Sequence, residues 1–156
     1  MMLKKLSIEE TNLRWAEIRG YSTLALNDLM NVTQLGETFE IALARLLLFV
    51  NQGVAQVWIY EDAGKEKYIC MTYIGNSLLS GVKHLTIYAV VRIDEDTKEP
   101  KKKYWTEALK TICNYAKEAG CKNVNCETDL DYLTEMFKTV STGQKAIVRN
   151  ALTLTI

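Results

Sequence analysis

Leu85-Thr86-Ile87-Tyr88-Ala89-Val90-Val91 is the stretch on which the fold turns. It is almost wholly apolar or β-branched, within a strand expected from Lys83 to Ile93. Such a run suits a central strand covered on both faces. A ten-residue charged loop, Asp94 to Lys103, follows it. Tyr104 to Ala119 then reads as an amphipathic helix, with Trp105, Leu109, Ile112 and Ala116 on one face and Lys110, Asn114 and Lys117 on the other. Gly120 ends it, and Lys122 to Glu127 reads as a short strand. Strand, helix and strand make a crossover unit, which requires a parallel pair and is almost always right-handed.

Upstream, the period is that of a hairpin. Ala55 to Glu61 and Lys67 to Ile74 read as strands on either side of the turn Asp62-Ala63-Gly64-Lys65. Glu37 to Gln52 reads as a helix whose apolar residues leave a narrow polar strip, so burial on more than one side is expected, with Gly53 as its cap. Ser7-Ile8-Glu9-Glu10 is a capping box that starts the first helix. Gly20 is expected to break that helix, with a second piece from Thr23 to Asn31. Downstream, Asp129 caps a short helix from Leu130 to Lys138, and Lys145 to Ile156 reads as one or two closing strands. The expected class is α/β: one domain over residues 1 to 156, with a mixed central sheet and helices on both faces.

Composition narrows the function. The chain has 156 residues, 48% of them apolar, with eight glycines and one proline. It can bury a real core and is not a disordered or fibrous chain. Nineteen basic and nineteen acidic residues balance, which argues against a nucleic-acid partner. No apolar region follows the first lysines, and no run is long enough to span a bilayer, so neither a signal peptide nor a membrane partner is expected. Cys70, Cys113, Cys121 and Cys126 form no Cys-x-x-Cys pair, and His84 is the single histidine. No metal site is expected, and free thiols point to the cytoplasm. No Ser-His-Asp or Cys-His set presents itself.

The element order resembles the GNAT (GCN5-related N-acetyltransferase) superfamily. The parts that carry the resemblance are the apolar strand Leu85 to Ile93, the loop after it, and the helix ending Ala116-Lys117-Glu118-Ala119-Gly120-Cys121. The short strand Asn123 to Glu127 and the helix Leu130 to Lys138 complete them. The family's first strand has only Met2 to Leu6 to occupy. The resemblance implies an N-acyltransferase that uses acetyl-CoA or another acyl-CoA as co-substrate and an amine as acceptor. It implies Glu127 as general base and Tyr132 as the acid that protonates the thiolate. Val91 and Arg92, with Lys101, Lys102 and Lys103, would hold the cofactor.

The loop departs from the family's Gln/Arg-x-x-Gly-x-Gly/Ala signature. No glycine lies between Gly81 and Gly120, and Pro100, which offers no amide, sits in the loop itself. Carboxylates at Asp94, Glu95, Asp96 and Glu99 stand where phosphates would approach, each close like-charge pair costing on the order of 1 kcal/mol. Two readings stand. Either the three lysines replace the glycine cradle beside the helix start, or the loop is a solvated charged turn and the chain is a catalytically inactive, GNAT-like interaction protein, such as a phage product. A different α/β binding domain is a third. Asp94 and Glu95 are alternatively amine ligands or solvated charge. Trp58, Tyr60 and the final strand either face a second copy, making a homodimer, or pack in the core.

Overall fold

A computed structural model describes residues 2–29, 39–93, 102–126, 135 and 138. Its elements are β1 (Met2–Lys5), α1 (Ile8–Leu13), α2 (Trp15–Leu29), α3 (Phe39–Asn51), β2 (Ala55–Asp62), β3 (Lys65–Asn76), β4 (Lys83–Arg92), α4 (Lys102–Glu118) and β5 (Asn123–Cys126). The strands form one mixed sheet in the order β1-β2-β3-β4-β5. The first three pairings are antiparallel, and β4–β5 is parallel, closed by the α4 crossover. The helix expected over 130 to 138 lies outside the described residues, except for an ion pair between Glu135 and Lys138 at 3.0 Å. The closing strands also lie outside them.

Alternation along the strands sends side chains to two cores. Trp58, Tyr60, Tyr68, Cys70, Leu85 and Ile87 pack with Leu109, Ile112 and Ala116 of α4. Val57, Ile59, Ile69, Met71 and Ala89 pack on the other face with Ile18 of α2 and Val50 of α3. Trp58 and Tyr60 are therefore core residues, and Trp58 stands edge-on to Tyr115 of α4 with ring centroids 5.3 Å apart. Tyr60, Tyr68 and Trp105 form a second aromatic group. Contacts of this geometry add roughly 0.5–1.5 kcal/mol beyond the area they bury.

Burying Trp58 commits its indole N–H to finding a partner. Nε1–H donates to Thr72 Oγ1 (2.9 Å), whose hydroxyl donates to Gln56 Oε1 (2.8 Å). The Gln56 amide donates in turn to the carbonyls of Gly53 and Val54. Gln56 and Thr72 are direct cross-strand partners, so the sheet register itself builds this chain of bonds.

Local signals formed as expected at several ends. Ser7 Oγ accepts the Glu10 N–H (3.0 Å), and Glu10 accepts the Ser7 N–H (2.8 Å). Lys4 Nζ lies 2.7 Å from the same carboxylate. These hydrogen bonds, that of Lys4 first, hold the Glu10 carboxyl down at about 2. Gly53 and Gly120 adopt positive φ and close α3 and α4 with the paired bonds of a Schellman cap: Val54 N–H to Phe49 C=O, and Cys121 N–H to Ala116 C=O.

Two expectations are corrected. Gly20 does not break a helix, because α2 runs from Trp15 to Leu29 as one element that absorbs the expected second piece. A helical glycine costs only about 1 kcal/mol relative to alanine, and the buried Ile18 and Ser22 beside it fasten α2 to the sheet. The break falls instead at Arg14, with φ −99° and ψ 10°. There the guanidinium grips Glu66 of β3 (2.8 and 2.7 Å) and Glu17 of α2 (both 3.0 Å). The second correction concerns α3. It buries Leu43 and Val50, but Ile41, Leu48 and Phe49 are exposed. Among the described residues its main packing is on α1, α2 and β2.

Two substitutions test this framework. Thr72→Val keeps the shape but strands the Trp58 N–H and the Gln56 carbonyl. Urea denaturation should show a loss of about 3 kcal/mol, with Thr72→Ser much closer to wild type. A Thr72→Val protein of unchanged midpoint would show that the buried bonds are unimportant. The β2–β3 turn places Ala63 at φ 50° and Gly64 at φ 74°. Both central residues are left-handed, the geometry for which Asn-Gly is preferred. Ala63→Asn should stabilise by roughly 0.5–1 kcal/mol, read as a raised thermal midpoint.

Candidate functional site

The crossover places the start of α4 at the carboxyl end of β4, and the backbone of β4 is irregular near that end. Met71 pairs with Ala89 but Thr72 pairs with Ile87, so Tyr88 is an extra residue in the β4 register. This is a β-bulge, a device found next to active sites because it re-aims side chains and interrupts a ladder. Among the described residues, the parallel pairing with β5 runs from His84↔Asn123 to Ile87↔Cys126. Beyond it, Val91 is buried and pairs with Ile69, while Arg92 is exposed and pairs with Tyr68. Ile93 N–H closes the end by donating to Lys67 C=O (2.9 Å).

Of the expected site residues, the fold therefore brings Val91 and Arg92 together at the end of β4. Lys102 opens α4 and Lys103 lies in its first turn. The first amides of this helix carry a partial positive charge. Lys101, Asp94, Glu95, Pro100, Glu127 and Tyr132 lie outside the described residues.

Other candidate chemistry falls away from this place. His84 stands at the opposite end of β4, with its ring against Gly75. A Cβ on Gly75 would come within 3.3 Å of the His84 Nε2. A side chain there would press on the imidazole, which would have to give by a few tenths of an ångström. Burial, and secondarily Cys126, push the Cys70 thiol up to about 12, and burial raises Cys113 as well. Thiols of that kind are packing groups, not nucleophiles. Among the described residues no cluster could ligate a metal ion, and no helix is long and apolar enough to cross a membrane.

Sequence reasoning did not single out Tyr73 and Tyr88. Their rings meet edge-on at 6.4 Å on the sheet face opposite α4, both partly exposed, and burial followed by Tyr73 raises the Tyr88 hydroxyl. A tyrosine inside an aliphatic strand was the available signal. Its direction follows from alternation with Ile87, which packs beneath α4. Two small cavities occur elsewhere, of about 160 Å3 between β1, β2 and α4, and about 70 Å3 between α1, β2 and Tyr115. Neither reaches the end of β4.

No protein-family model matches the chain, and a search of curated proteins found no match. Solved structures do match. A probable acetyltransferase superposes with a TM-score of 0.65 at 12% identity, covering 100% of this chain and 98% of its own. A GNAT family acetyltransferase of Staphylococcus aureus gives 0.58 at 13%, covering 99% and 96%. An aminoglycoside N-acetyltransferase in complex with CoA gives 0.63 at 9%, covering 98% and 93%. Identities this low establish architecture, so the conclusion is one of fold: this chain has the mixed-sheet fold of the GNAT acetyltransferases.

Proposed function

We propose that the protein is an acyl-CoA-dependent N-acyltransferase whose pyrophosphate site is built from lysine side chains instead of glycine amides. The observation that carries this reading is the bulge at Tyr88, on the strand that leads to α4. Likeness to acetyltransferase structures, one of them holding CoA, supports it.

The described residues suit an anionic ligand at that end: exposed Arg92 closes β4, and the first amides of α4 lie beyond the loop. Lys101, Lys102 and Lys103 would add three cations, which oppose the helix dipole unless an anion lies between. A thioester bound there supplies an activated acyl carbon and a thiolate leaving group. Glu127 would take the proton from the acceptor amine as its nitrogen bonds to the acyl carbon. Tyr132 would give a proton to the sulfur as the C–S bond breaks, so atoms and charge balance. Tyr73 and Tyr88 would line the acceptor's approach. A cytoplasmic location accords with free thiols and with a CoA substrate. The glycine-free segment from Gly81 to Gly120 favours the second reading, a GNAT-like interaction protein that binds no CoA.

Thermal unfolding with and without millimolar acetyl-CoA separates these. Ligand at about 100 times its dissociation constant adds roughly 2.7 kcal/mol. No shift with acetyl-CoA, longer acyl-CoAs or free CoA rejects the enzyme and leaves the interaction protein. If the shift appears, Lys101→Glu with Lys103→Glu should abolish it, and an undiminished shift would reject the lysine cradle. Once an acceptor is found, Glu127→Gln and Tyr132→Phe should each lower kcat by about 10²-fold or more while leaving the CoA-induced shift intact. Loss of the shift together with kcat would assign them to binding instead.

A further inference from the structure

The connection between β3 and β4 is Ser77-Leu78-Leu79-Ser80-Gly81-Val82. Its base is closed by hydrogen bonds. Ser77 N–H donates to Val82 C=O (2.8 Å), Gly81 N–H to Ser77 C=O (2.9 Å), and Val82 N–H to Ser80 Oγ (3.3 Å). Gly81 takes φ 66° to complete the bend. This defined turn holds Leu78 and Leu79 outward, each 97% exposed. Turn apices favour Gly, Asn, Asp and Ser for backbone reasons that leucine does not share. A single exposed leucine is ordinary, but two adjacent ones almost fully in water gain nothing from folding.

Cations surround the base of this tip. Lys83 follows the turn directly, and its Nζ holds the Ala119 carbonyl at the end of α4 (2.7 Å). Lys122 is tied to Lys83 through its N–H (2.8 Å), and exposed Lys117 lies in the last turn of α4, where its carbonyl accepts the Gly120 N–H. Glu118 in that turn offsets one of the three charges. An apolar tip with ammonium groups behind it matches the layering of an anionic bilayer, where acyl chains lie below negative headgroups. A protein pocket would take the leucines but does not account for the lysines.

We propose that Leu78 and Leu79, with Lys83, Lys117 and Lys122, form a peripheral docking site for an anionic lipid surface. The absence of a spanning run argued against a membrane partner, but a docking tip needs no span. The tip lies at the end of β4 away from Arg92, about 30 Å along the strand at about 3.3 Å per residue. Docking would leave the candidate site facing away from the bilayer. The proposal stands independently of any acyltransferase activity.

The test is sedimentation of the full chain with vesicles of phosphatidylcholine alone, and of phosphatidylcholine with about one-third phosphatidylserine. Wild type should partition onto the mixed vesicles at low salt and much less onto the neutral ones. Leu78→Ser with Leu79→Ser should lower partitioning at least about tenfold without moving the thermal midpoint, since neither side chain packs on the core. Lys117→Gln with Lys122→Gln should weaken binding and flatten its salt dependence. Leu78→Trp should show a blue-shifted emission component on the mixed vesicles that the parent protein lacks. No binding of wild type, or equal binding by the leucine variant, overturns the proposal. So does wild-type dimerisation that the leucine variant loses, which would assign the tip to a second copy.

Discussion

A sheet covered on both faces imposes a strict rule: every strand residue must suit the core it points into. In β4 that rule is reset once. Up to Ile87, alternation sends Leu85 and Ile87 beneath α4. Tyr88 is the extra residue of the bulge, and after it the parity inverts, so that Val90 packs on the α4 side and Ala89 on the side of α2 and α3. Unbroken alternation would have put Ala89 beneath α4 and Val90 opposite. The small residue instead lies on the face where α2 packs against β4. The same irregularity lies on the strand that leads to the candidate site.

Beneath α4 a second constraint operates. Trp58 offers a large apolar surface, but with an N–H that cannot be left dry. The Trp58–Thr72–Gln56 chain resolves this with side chains from two adjacent strands and ends on the carbonyls of the α3–β2 connection. Slippage of β3 by one residue would send Thr72 to the other face, and slippage of β2 would do the same to Gln56 and Trp58. The polar chain thus specifies register as well as satisfying hydrogen bonds. On the opposite face, Arg14 clasps Glu66 and Glu17, and their hydrogen bonds push its guanidinium pKa further up. It joins the α1–α2 turn to β3 with charge-assisted bonds stronger than isolated surface pairs.

The two ends of β4 carry different character. One leads through Arg92 towards α4, with the fold of an acetyltransferase around it. The other ends in an apolar turn backed by lysines. A neutral overall charge conceals this, because it is a sum: the acidic and basic residues balance in number without being evenly placed.

The sequence by itself determined what depends on neighbours in the chain. The capping box at Ser7, the glycine caps at Gly53 and Gly120, the Ala63-Gly64 turn and the crossover from Leu85 to Cys126 were all legible, since periodicity and caps act within a few residues. The departure of the loop around Pro100 from the family's glycine signature was legible for the same reason. Only the tertiary structure decided what depends on partners distant in sequence. It carried α2 straight through Gly20, because packing outweighs a propensity deficit of about 1 kcal/mol. It left Ile41, Leu48 and Phe49 of α3 exposed despite its apolar circumference. It set the bulge at Tyr88, because a bulge is a mismatch between two strands and is written in neither one alone.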